Sequence, residues 1–91
     1  MEIRHNDTLM DRLEEAMVKG CSYIVWKELN LWYDKEKIAA KPMRDIDRRW
    51  QGISAGKMGR LLMLEDESGF FIFPEKGIKP VDPDGSGFVL D

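Results

Sequence analysis

Ninety-one residues, 43% of them hydrophobic, are enough for one domain with one unaided core and too few for a large enzyme fold. A single cysteine, Cys21, and a single histidine, His5, exclude an internal disulfide and a Cys/His metal framework, and no run of about 18 apolar residues is present to span a membrane. The net charge of -3 argues against a generally cationic nucleic-acid binder, and the polar start Met-Glu-Ile-Arg-His-Asn-Asp, which lacks an apolar signal core, makes a cytoplasmic location the expectation.

After Asn6, Asp7 and Thr8 the apolar residues Leu9, Met10, Leu13, Ala16 and Met17 share one stripe and predict a helix over about 7–19. Thr8 and Asp11 are spaced as a capping box, and Gly20 stops the helix. Ser22 to Trp26 is β-branched and aromatic and reads as a short extended segment. The face shared by Val25, Leu29, Trp32 and Tyr33 then predicts a helix to about Tyr33. The charged stretch Asp34 to Lys37 reads as a turn or helix end.

Pro42 is suited to the start of a third helix, in which Met43, Ile46, Trp50 and Ile53 recur at i, i+3, i+7 and i+10. At about 100° per residue, Arg48 points away from that stripe, with Arg44 and Gln51 beside it and Asp45 on the other flank. Gly52 and Gly56 weaken the far end, so the helix is expected to stop near Ser54. Leu61 to Leu64 and Phe70 to Phe73, joined by Glu65-Asp66-Glu67-Ser68-Gly69, predict a β-hairpin closed by Pro74. Residues 75–91 read as an irregular Pro/Gly-rich tail following a domain over 1–74, with a last short strand at Phe88 to Leu90.

Charge is unevenly spread along these elements. Residues 1–33 carry four Lys/Arg against six Asp/Glu, residues 34–60 eight against four, and residues 61–91 two against seven. The basic block is Lys35, Lys37, Lys41, Arg44, Arg48, Arg49, Lys57 and Arg60, interleaved with Asp34, Glu36, Asp45 and Asp47. Such a block is either a solvated helix face or an interaction surface.

Helix, short strand, helix, turn, helix, β-hairpin is the element order of the winged helix-turn-helix superfamily, which residues 7–74 resemble in order, in lengths and in the polar third helix. The resemblance implies an α+β fold, a small three-helix domain with a C-terminal β-hairpin. It also implies that the helix from Pro42 is a recognition helix and that the hairpin around Glu65 to Gly69 is a wing. On that reading, Arg44, Arg48, Arg49 and Gln51 meet double-stranded DNA, and Lys35, Lys37, Lys41 and Lys57 neutralise phosphates. Two features oppose it: Glu65-Asp66-Glu67 would repel phosphates at a wing tip, and Asp45 and Asp47 dilute the helix. Ile38-Ala39, Arg44 and Arg48-Arg49-Trp50 also resemble the third helix of Myb-like repeats, but neither the tryptophan spacing nor the hairpin fits those.

The alternative is a non-enzymatic adaptor or inhibitor, of a kind that phages and mobile elements encode, docking on a nucleic-acid-processing complex. Its partner-binding residues would be Trp32 and Tyr33, because adjacent aromatics cannot both face inward. The same logic applies to Phe70 and Phe71, and a homodimer covering the hairpin is a third reading. Nothing predicts catalysis or a cofactor. His5 falls in a terminus expected to fray, Cys21 is expected as a small buried hydrophobe, and Gly52, Gly56 and Gly59 lack the strand and helix of a phosphate loop. Asp82-Pro83-Asp84-Gly85-Ser86-Gly87 has the oxygen spacing of half a calcium loop but reads as turns.

Overall fold

The chain is described here by a computed structural model covering residues 2–33, 40–79 and 81. Its first helix, α1 (Ile3–Lys19), begins four residues earlier than expected. Glu2 is extended, and its carbonyl accepts from the Asn6 N–H at 2.9 Å, so the first turn closes without a side-chain cap. Thr8 is therefore inside the helix; its hydroxyl donates to the Arg4 carbonyl at 2.9 Å, and the expected capping box with Asp11 does not form. His5 lies on the same helix with its side chain only 12% exposed, not in a frayed end. Gly20 ends α1 at φ 89°, a left-handed cap whose N–H reaches the Ala16 carbonyl at 3.0 Å.

The chain then runs through β1 (Ser22–Val25) directly into α2 (Trp26–Trp32), where the Glu28 carboxylate accepts both from the Val25 N–H and from Arg12 of α1. Helix α3 spans Ala40–Ser54, two residues ahead of the proline expected to open it. The hairpin strands are β2 (Leu61–Glu65) and β3 (Gly69–Pro74), followed by a single 3-10 turn, Glu75–Gly77. The described residues thus form a small α+β domain of three α-helices and a three-stranded antiparallel sheet in the order β1-β3-β2. Lys35, Lys37, the Asp82 to Gly87 loop and the expected strand at Phe88 to Leu90 lie outside the described residues.

The core gathers where the helical stripes meet the inner face of the sheet. Leu9, Leu13 and Ala16 of α1, Leu29 and Trp32 of α2, Ile46 and Trp50 of α3, and Ile24, Phe70 and Ile72 of the sheet are all buried. Trp50 is fully enclosed, and its indole N–H is satisfied by the Gly59 carbonyl at 3.1 Å. The expected α3 stripe is fulfilled, with Met43 and Ile53 half-buried at its margins.

Strand alternation sorts the hairpin aromatics as the sequence requires: Phe70 is 1% exposed and Phe71 38%. Phe71 pairs with Tyr23 on one side and Leu64 on the other, and Phe73 pairs with Leu62, so these five apolar side chains share the outer face of the sheet. The Tyr23 and Phe71 ring centroids are 4.7 Å apart. Gly69 opens β3 opposite Val25, where a Cβ would collide with the Ile24 carbonyl oxygen and lie 2.9 Å from the Tyr23 ring. The Glu75 N–H donates to Arg60 and the Lys76 N–H to Met58, which ties the turn after β3 to the loop before β2. No helix among the described residues is long and apolar enough to cross a membrane.

Candidate functional site

Helix α3 presents two stripes on opposite sides. Pro42, Ile46 and Trp50 point into the core, whereas Lys41, Arg44, Arg48 and Gln51, at i, i+3, i+7 and i+10, are all exposed. At about 100° per residue these four fall within a sector of about 80°, a narrow polar face carrying three cations and an amide. Asp47 is exposed beside it.

A cleft of about 450 Å³ runs along this face, lined among the described residues by Tyr33, Lys41, Arg44, Asp45 and Arg48. Asp45 lines it with both carboxylate oxygens engaged. One carboxylate oxygen accepts from the Tyr33 hydroxyl at 2.7 Å and from Arg49 Nε at 2.9 Å, and the other accepts from Arg48 Nη2 at 2.7 Å. Partial burial would by itself raise its pKa, but the hydrogen bonds from Tyr33, Arg48 and Arg49 prevail and hold it down to about 2. The Tyr33 hydroxyl moves the other way: burial first, and then the adjacent Asp45 carboxylate, push it far above the usual tyrosine range. Around neutral pH the described lining of the cleft thus holds a neutral phenol, one saturated carboxylate and three cationic side chains.

The expected site residues separate into two sets. Lys41, Arg44, Arg48 and Gln51 come together on the outer stripe, with Lys57 exposed in the turn that follows α3. Arg49 does not join them. On the helical wheel it falls toward the core, its side chain is 24% exposed, and besides Asp45 it grips Asn6 of α1. It fastens α3 to α1, with Nε on Asp45 and Nη1 on Asn6.

The aromatic pair also divides. Trp32 is 3% exposed and belongs to the core, because α2 turns its Leu29 and Trp32 face onto α1 and the sheet; the expectation of a partner-binding Trp32 is corrected accordingly. Tyr33 is half-buried, with its hydroxyl spent on Asp45. Cys21, expected to be buried, is exposed, since it falls between the left-handed cap at Gly20 and the first residue of β1.

The hairpin tip, read in sequence as three equivalent acids, is not uniform. Glu65 and Glu67 are exposed, while Asp66 organises the turn: one carboxylate oxygen accepts from the Tyr23 hydroxyl and from the N–H groups of Ser68 and Gly69, all at 2.8–2.9 Å, and its carbonyl accepts from Trp26 Nε1 at 3.2 Å. Asx chemistry, Asp followed by Ser and Gly, was the local signal for this role. The long-range Tyr23 contact had no signal in the sequence.

Among the described residues no group of three His, Cys, Asp or Glu is placed to hold a metal ion. Comparison with protein-family models, curated proteins and solved structures finds no match for this chain.

Proposed function

We propose that this protein is a small winged-helix DNA-binding regulator that lays the outer stripe of α3 against double-stranded DNA. The observation carrying this reading is the exposed set Lys41, Arg44, Arg48 and Gln51, aligned along one face of a helix whose opposite face is locked into the core. The arrangement α1-β1-α2-α3-β2-β3 with sheet order β1-β3-β2 supports it, since winged helices join three helices to a hairpin in this order. Arg44 and Arg48 have the fork geometry to bond guanine O6 and N7, Gln51 can bond adenine N6 and N7, and Lys41 and Lys57 suit phosphates. The acidic tip opposes it, because the bonds to Asp66 come from neutral groups and favour its charged form, and Glu65 and Glu67 are exposed beside it. The adaptor reading has less support, because Trp32 is buried and the Tyr33 hydroxyl is occupied.

Gel-shift titration against random duplex at several salt concentrations tests the proposal. Four cations, Lys41, Arg44, Arg48 and Lys57, lying on phosphates of nonspecific duplex give a slope of log affinity against log salt near about -3.6, and Arg44→Ala with Arg48→Ala should reduce its magnitude by about 1.8. Absence of binding at low salt, or binding indifferent to the double substitution, refutes it.

A further inference from the structure

Strand β2 pairs with β3 on one side, and no described strand lies along its other side. Such an edge presents a row of backbone N–H and C=O groups to any chain that can add to it, and soluble proteins usually blunt it with lysine, proline or a bulge. β2 reads Leu61-Leu62-Met63-Leu64-Glu65, contains none of these devices, and runs in unbroken register with β3. Leu64 is 62% exposed and Met63 37%, so both faces of the edge remain apolar and open.

We propose that β2 pairs with β2 of a second copy of this chain, antiparallel about Met63, joining two three-stranded sheets into one of six strands. The charges at the strand ends select this occupant and this direction. With Arg60 before the strand and Glu65 and Asp66 after its apolar run, antiparallel pairing about Met63 sets Leu61 opposite the second copy's Glu65 and Arg60 opposite its Asp66. Two Arg-to-acid contacts arise by symmetry; parallel pairing would instead set arginine beside arginine and acid beside acid. The apolar residues match as well. Leu64 falls opposite the second copy's Leu62, which continues the row of Tyr23, Phe71 and Leu64 into the second copy's Phe73. A strand edge buries less than a standard interface, so the association is concentration-dependent rather than permanent. It stands independently of DNA binding by α3, and its test uses no DNA.

Sedimentation equilibrium of the full chain from about 1 to about 200 µM should show the mass rising from 10.6 kDa toward twice that value. Leu64→Lys, at an exposed position, should remain monomeric throughout with an unchanged circular dichroism spectrum. Arg60→Glu should weaken the dimer about tenfold, because it sets an acid opposite the second copy's Asp66. Glu75→Gln is the control: it removes the partner that Arg60 has within its own chain at 3.1 Å and should leave the dimer no weaker. A constant mass of 10.6 kDa, a dimer indifferent to Leu64→Lys or to Arg60→Glu, or one that Glu75→Gln weakens as much, overturns the proposal. A monomer that dimerises only after Phe88→Asp overturns it too and assigns the edge to the chain's own C-terminal residues.

Discussion

Asp45→Asn should weaken the fold and strengthen DNA binding at once. The carboxyl is held from 3.8 down to about 2 by Tyr33, Arg48 and Arg49, which at about 1.36 kcal/mol per pH unit caps its contribution near about 2.5 kcal/mol. With the side chain 19% exposed, solvent screening leaves about 1–2 kcal/mol. Asparagine keeps an acceptor for the Tyr33 hydroxyl but loses the charge, so thermal melts at pH 7 should show the variant lower by about 5–10 °C. Because the folded pKa is depressed, this stabilisation is fully present above about pH 4 and is lost as pH falls through about 2. The gap between wild type and variant should therefore close between about pH 5 and pH 2. The same substitution removes a negative charge 2.7 Å from Arg48 on the outer stripe, so duplex affinity at low salt should rise about two- to fivefold. Equal melting temperatures at pH 7, or a gap that persists at pH 2, would refute the account of the carboxylate. A fall in affinity with the fold intact would refute the account of the stripe.

Two further outcomes test the backbone. Gly69→Ala forces a methyl group against the Ile24 carbonyl oxygen and the Tyr23 ring, and should cost about 2–3 kcal/mol by urea denaturation; a neutral result would mean that β1 and β3 lie farther apart than described. Ala55→Gly relieves a left-handed residue at φ 52° just after α3 and, after the added freedom of the unfolded chain, should stabilise by about 0.5–1 kcal/mol in the same assay.

The features legible in the sequence are those that repeat along the chain. The α3 stripe of Met43, Ile46, Trp50 and Ile53 follows from spacing alone, as do the outward Arg44, Arg48 and Gln51 and the alternation that buries Phe70 and exposes Phe71. What was missed depends on partners distant in sequence. Arg49 looked like one more outward arginine because Asn6, 43 residues earlier, supplies the contact that claims it. Trp32 looked suited to a partner because the core it fills is assembled from α1 and the sheet. The early start of α1 has no sequence signal, because Glu2 begins the helix with no side-chain cap, while Thr8 offers a plausible but unused one. Cys21 follows the opposite logic: an apolar preference was overridden by its place between a helix cap and a strand.

The sheet order carries a consequence for biosynthesis. β1 and β2 are both hydrogen-bonded to β3 and not to each other, so the central strand is the last of the three to be synthesised. A nascent chain that has reached Ser68 already contains all three helices and both flanking strands, yet it lacks Phe70 and Ile72 and has no sheet at all. Its partly assembled core and two unpaired strands await the next six residues, Gly69 to Pro74, whose arrival joins segments more than 40 residues apart in one step. Folding is thereby deferred until β3 is available, and truncation before it should release a sticky intermediate rather than a smaller domain.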